Sequence, residues 1–107
     1  MDKVLYNSLL YDFYGELATA KQREAYHMYY CDDLSLAEIG DKLGISRQAV
    51  NFSIKQAQRC FEDLEAALRL VEGHFEAKEC AEGLRRALEK HNFTESVKQL
   101  EKLEKLL

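Results

Sequence analysis

Apolar residues recur every three or four positions along most of the 107-residue chain. That is the period of an amphipathic helix, not of a strand. From residue 3 to 17, Leu5, Leu9, Phe13 and Leu17 form one row with Tyr6, Leu10 and Tyr14 beside it, which predicts a wide-faced helix with Gly15 near its end. Thr19 and Gln22 stand at capping-box spacing. They predict a second helix over 20–30, with Ala25, Met28 and Tyr29 on one face and Cys31-Asp32-Asp33 breaking it. Ser35 and Glu38 repeat the capping signal ahead of a third helix, Leu36 to Leu43, which buries Leu36, Ile39, Gly40 and Leu43. Gly44 occupies the position where a left-handed residue ends a helix. Ile45 is expected to be a buried turn residue, and Ser46 caps a fourth helix beginning Arg47-Gln48-Ala49-Val50.

That fourth helix is predicted to be long. Val50, Ile54, Ala57, Phe61, Leu64, Leu68, Val71 and Phe75 alternate steps of four and three, a heptad seam of about 25 residues. Gly73 lies near its expected end. A fifth helix is predicted over 76–91, with Ala77, Cys80, Ala81, Leu84, Ala87 and Leu88 apolar. Asn92-Phe93 reads as a turn, and Thr94 as the cap of a last helix carrying Val97, Leu100, Leu103 and Leu107.

Composition supports an all-α reading. The chain has no Pro, no Trp and five Gly, and its β-branched residues are four Val, three Ile and two Thr. A sheet protein needs more of these, with frequent turn signals. Apolar residues make up 47% of the chain, enough for a core. The formal net charge of -4 excludes a protein that coats nucleic acid by bulk charge, so any such contact must come from a local patch. The first ten residues include Asp2, Asn7 and Ser8 and so lack the apolar run of a signal peptide. No stretch approaches the roughly 20 apolar residues of a membrane span. Cys31, Cys60 and Cys80 are odd in number and widely spaced, which fits reduced thiols and a cytoplasmic location.

The informative stretch is LAEIGDKLGISRQAVNFSIK, residues 36 to 55. A helix-turn-helix needs a small residue where its two helices cross, a tight turn after it, and apolar residues in the turn and the second helix. Gly40, Gly44, and Ile45 with Val50 and Ile54 meet those needs. On a wheel of about 100° per residue, Ile54, Ala57 and Phe61 fall within about 40° of Val50 and face inward. Gln48, Phe52, Lys55 and Arg59 fall opposite, Asn51 lies at the flank and Arg47 at the N-terminal edge. Arg, Gln and Asn suit base edges in the major groove, and Lys suits phosphate. From Arg47 to Phe61 there are basic residues and no acidic one, a local exception in an acidic chain.

The segment LATAKQREAYHMYY followed by LSLAEIGDKLGISRQAVNFSIKQAQ resembles the C-terminal helix-turn-helix region of bacterial sigma factors. With LLYDFYGEL in front, the chain resembles the YlxM family of small bacterial helix-turn-helix proteins. The quoted motifs cover roughly residues 9 to 60, Asp12-Phe13-Tyr14, Lys21-Gln22 and Ser46-Arg47-Gln48-Ala49-Val50 being the most specific. The resemblance implies DNA contacts from Ser46, Arg47, Gln48, Asn51 and Lys55. It also implies a link to the signal recognition particle pathway, because genes of the family typically neighbour that of the particle's GTPase. Gln56 stands where a basic residue is expected, and the tail beyond about residue 75 carries no part of the resemblance.

The expected architecture is therefore a sigma-factor-like helix-turn-helix bundle with a long helix and a C-terminal helical extension. Residues 1–60 are expected to form the DNA-binding domain, and residues 61–107 a helical extension that is a candidate dimerisation region. The expected contacts to double-stranded DNA are Ser46, Arg47, Gln48, Asn51, Phe52, Lys55, Arg59 and Lys21. The seam from Val50 to Phe75 either pairs two chains or is covered by the last two helices of the same chain. The alternative function is an accessory role without DNA binding, docking on the signal recognition particle GTPase or its RNA, motivated by the acidic balance of residues 61–107.

Other features read more simply. His27 and Cys31 are four apart, but no further metal ligands stand at matching spacing, so no metal or other cofactor is expected. Asp32 and Asp33 read as turn residues. The six Tyr, all in the first 30 residues, read as an amphipathic core, with a single-stranded RNA platform as the rival. There is no nucleophile elbow, phosphate loop or His–carboxylate pair at a catalytic spacing, so the chain is read as a non-enzyme.

Overall fold

The computed structural model describes residues 2–107. Among them are six α-helices and no strand: α1 Lys3–Tyr14, α2 Ala20–Tyr30, α3 Leu36–Leu43, α4 Arg47–Leu68, α5 Leu70–Glu89 and α6 Phe93–Leu106, with a short 3₁₀ turn at Gly15–Leu17. The fold is all-α. The helices fall into two compact units, one ending at Arg69 and the other running Leu70–Leu107.

In the first unit the sequence signals act locally as the pattern predicts. Thr19 Oγ1 accepts from the Gln22 amide at 3.2 Å while Gln22 Oε1 accepts from the Thr19 amide at 3.2 Å. Ser35 and Glu38 make the same reciprocal pair at the start of α3. Each box satisfies two amides that would otherwise lack partners. α1 and α2 pack on each other and, with α3, on α4, so the first half of α4 is the centre of the unit. Val50, Ile54, Ala57 and Phe61 are all buried there.

The inward faces differ in detail from the expected ones. On α1 the buried positions are Asn7, Leu10 and Tyr14, while Leu5 and Phe13 are exposed, as is Leu17 in the 3₁₀ turn that follows. The wide apolar band left two choices of face, and packing on α2 and α4 selects the one through Leu10. On α2 the buried pair is Ala25 and Tyr26, with Met28 half-buried and Tyr29 exposed. Tyr26 lies 4.9 Å edge-on to Phe61 and 4.6 Å from the ring of Tyr30, centroid to centroid. Its hydroxyl donates to the Asn7 carbonyl at 2.9 Å, so a tyrosine can sit at the centre with its polar end satisfied. Tyr14 Oη bonds Glu65 at 2.5 Å, linking α1 to α4. Tyr6, Tyr11 and Tyr30 are half-buried, so most of the tyrosine cluster is core and not an open stacking platform.

The long helix is shorter than its seam suggests. It ends at Leu68, where Arg69 takes a left-handed conformation (φ 55°) and its amide bonds the Glu65 carbonyl at 2.8 Å. Val71 and Phe75 therefore belong to α5, and Gly73 lies inside that helix. The Val50–Phe75 seam is not one continuous zipper, and its first four positions are already buried within the first unit. The heptad spacing persists across the break because the backbone there turns on an arginine, which carries no sequence signal for a left-handed residue.

In the second unit α5 and α6 pack along each other as a hairpin. Asn92, not Thr94, caps α6: its Oδ1 accepts from the Glu95 amide at 3.1 Å. His91 makes the turn at φ 55°.

Tyr26 gives a testable consequence. Burial first, then the neighbouring Tyr30, Cys31, Glu62 and Tyr6, raise its hydroxyl well above the ordinary tyrosine value of 10. A folded-state value above the unfolded one stabilises the fold fully below about pH 10, and that contribution fades as pH rises beyond it. Tyr26→Phe is expected to cost about 0.5–1.5 kcal/mol in urea unfolding at pH 7, through the lost hydrogen bond. The same variant should lose stability less steeply than the wild type above pH 10.

Candidate nucleic-acid interface

The helix-turn-helix is built around Gly40. A Cβ there would stand 2.7 Å from the Ile45 carbonyl oxygen, closer than real Cβ atoms come. The Gly44 and Ile45 amides both donate to the Gly40 carbonyl, so α3 closes directly under the turn. Gly44 sits at φ 68°, the left-handed region that L side chains reach at a cost of about 1–2 kcal/mol. Ile45 is half-buried, not fully buried, as it crosses from α3 to α4. Ser46 Oγ then accepts from the Ala49 amide at 3.1 Å and starts α4.

This start fixes the rotation of α4. With Val50, Ile54, Ala57 and Phe61 inward, Arg47, Gln48, Phe52, Lys55 and Arg59 are all exposed and Asn51 is half-buried at the flank. Phe52 is 65% exposed. Ser46 is exposed at the N-terminus of the same helix, where backbone amides and the helix dipole favour an anion. Seven of the eight sequence-predicted residues thus belong to α4 and its cap. Lys21 is the exception: it is exposed in the first turn of α2, on a different helix. Gln56, at the position where a cation was expected, is half-buried. Lys42, exposed in the last turn of α3, is a further cation of the motif that the pattern analysis passed over. Its position two residues before the turn glycine is the signal that marks it.

The charges on this face are uncommitted. Among the described residues, Arg47, Lys55 and Arg59 have no ion-pair partner. The face ends at Glu62, whose carboxylate accepts from Gln58 Nε2 at 3.4 Å. On the acidic side of the unit, Glu65 and Glu62 add to burial in raising the Tyr6 hydroxyl. α4 therefore carries cations along its first three turns and carboxylates after Phe61.

The other chemistry in the unit is modest. His27 Nδ1 lies 3.3 Å from Asp32, both well exposed. Desolvation raises the Cys31 thiol in spite of a hydrogen bond from Ser8, with Asp12 and Asp32 adding to the rise, so little of it is thiolate at neutral pH. No group of three or more metal-ligating side chains gathers among the described residues. No helix among them is long and apolar enough to cross a membrane.

Comparison with known proteins bears on what this geometry is for. A model of the UPF0122 family, described as "Putative helix-turn-helix protein, YlxM / p13 like", matches residues 1–103. The chain belongs to this family. A UPF0122 protein of Shouchella clausii (strain KSM-K16) is 39% identical over 107 residues, covering 99% of this chain and 98% of the relative. A UPF0122 protein of Thermoanaerobacter sp. (strain X514) is 44% identical over 88 residues, covering 82% of this chain and 75% of the relative. One of Bacillus pumilus (strain SAFR-032) is 39% identical over 107 residues, covering 99% and 97%. The family description is that of a helix-turn-helix protein, and the relatives named above are bacterial. The match runs well past residue 75, where the sequence motifs alone had stopped being informative.

Two substitutions separate framework from surface. Gly40→Ala is expected to destabilise the first unit by about 1–3 kcal/mol, because a backbone carbonyl cannot move aside as a flexible side chain could. Phe52→Ala should leave the stability nearly unchanged, within about 0.5 kcal/mol, because the ring is largely exposed. Differential scanning calorimetry of both variants checks the pair.

Proposed function

We propose that this protein is a DNA-binding regulator that lays the N-terminal half of α4 into the major groove. Arg47, Gln48 and Asn51 face base edges, and Phe52 offers an apolar contact to a thymine methyl. Lys55, Arg59 and Lys21 meet phosphates, and Ser46 with the first amides of α4 takes another. The observation that carries this reading is the exposed face of α4, whose three cations have no carboxylate among them from Arg47 to Phe61 and no ion-pair partner among the described residues. The reading includes a cytoplasmic setting, consistent with three free cysteines. By family resemblance, the process regulated is signal recognition particle targeting.

The test is a salt titration of binding to labelled duplex DNA by fluorescence anisotropy, with the signal recognition particle RNA in parallel. A steep fall of affinity with salt, together with preference for one duplex over random competitor, is the expected result. Preference for the RNA, or no binding to either at moderate salt, overturns the reading in favour of an accessory protein of the particle. Within the DNA reading, Arg47→Ala and Gln48→Ala should each cost about 1–3 kcal/mol and relax sequence preference. Lys55→Ala should weaken all sequences equally and lower the salt slope by about 1.

A further inference from the structure

Between Arg47 and Arg59 the outward face of α4 carries a single large apolar side chain, Phe52, which is 65% exposed. Its neighbours three and four positions away on the helix surface are Gln48, Ala49, Lys55 and Gln56, so the ring stands by itself among polar and small groups. A pocket on another protein would ask for an apolar patch of roughly 300 Å² or more, and these neighbours do not build one. A platform for unpaired bases would ask for aromatic rings in succession, and the other ring of α4, Phe61, is buried. One lone ring is matched to one methyl group, and the apolar group that base pairs show in the major groove is the 5-methyl of thymine. Gln48 lies one turn earlier on the same exposed stripe, about 6 Å along the axis and about 40° round. Buried Val50, Ser53 and Ile54 hold that spacing. Base pairs stack at about 3.4 Å, so Gln48 and Phe52 meet base pairs one or two steps apart. A glutamine amide matches the edge of adenine, which offers an acceptor beside a donor.

Resting on the DNA-binding reading above, we propose that the duplex read by α4 carries an adenine and a thymine about one or two base pairs apart, with Gln48 pairing to the adenine edge and Phe52 covering the thymine 5-methyl. Phe52 is then the residue that separates thymine from cytosine, which has no methyl, and the target has A·T pairs at both positions under the N-terminal half of α4. The ring carries no charge and releases no counterion, so it adds preference without adding salt dependence. Covering one methyl group gives that preference a size of about fourfold in affinity. Lys55 and Arg59, further along the same stripe, act in the opposite way: they add affinity on every sequence, and salt dependence with it.

The test titrates the full chain onto its preferred duplex by fluorescence anisotropy, each thymine being replaced in turn by deoxyuridine, which lacks only the methyl. These replacements act on the wild-type protein, so the reading does not hang on a variant that folds. One replacement should weaken wild-type binding about fourfold and the others little. Phe52→Ala should weaken binding to the unmodified duplex by about the same factor, be indifferent to the sensitive replacement, and keep the salt slope of the wild type. Gln48→Ala should lose preference at an adenine about one or two base pairs from that thymine. A preferred duplex in which no thymine is sensitive overturns the proposal and leaves the DNA-binding reading standing. So does a sensitive thymine that Phe52→Ala still distinguishes as strongly as the wild type, or a Gln48-dependent adenine further away. A chain that prefers no duplex over random competitor, or binds the signal recognition particle RNA in its place, overturns both together.

Discussion

The helix-turn-helix depends on the missing side chain of Gly40. With only a hydrogen there, the Ile45 carbonyl can stand where a Cβ would need to be, 2.7 Å away. The same residue's carbonyl takes the amides of Gly44 and Ile45, so the turn closes onto the helix it leaves. That closure sets where Ser46 falls, and Ser46 sets where α4 begins. The rotation of α4 follows, and with it the set of side chains that point away from the core. A backbone contact of one residue is thus converted into the placement of a whole polar face.

α4 serves two purposes along one length. Its inward positions from Val50 to Phe61 are the core against which α1, α2 and α3 pack. Its outward positions from Arg47 to Arg59 are exposed and free of carboxylates. Because the inner face is immobilised by buried aromatic and aliphatic contacts, the outer face is presented on a rigid element. The polar groups of the core are satisfied locally: Tyr26 donates to the Asn7 carbonyl, and Tyr14 bonds Glu65. Among the described residues no buried side-chain polar atom lacks a partner. The acidic residues that make the whole chain negative are kept off the recognition stretch, with Glu62, Asp63 and Glu65 following it on α4.

The local rules were readable because each is a contact within a few residues. Thr19 with Gln22, Ser35 with Glu38, Ser46 with Ala49, and Gly44 after Leu43 all act through backbone groups three or four positions away. The residues of the candidate interface were readable for the same reason: once α4 starts at Arg47, helical geometry assigns Gln48, Phe52, Lys55 and Arg59 to the outside. The break after Leu68 was not readable. Arg69 adopts the left-handed conformation without being a glycine, and the heptad rhythm runs straight through it. Asn92 and Thr94 were both competent caps, and the turn at His91 chose the first.

By itself the sequence determined the all-α class, the starts of the first four helices, the helix-turn-helix and the outward set of polar residues on α4, because propensity, capping and periodicity are local. Tertiary structure decided which face of an apolar-rich helix turned inward. On α1, Leu10 and Tyr14 are buried while Phe13 is not, and on α2, Tyr26 is buried while Tyr29 is not. Those choices rest on the shape of the neighbouring helices and on a hydrogen-bond partner for each hydroxyl, and neither is written in the spacing of residues along one helix.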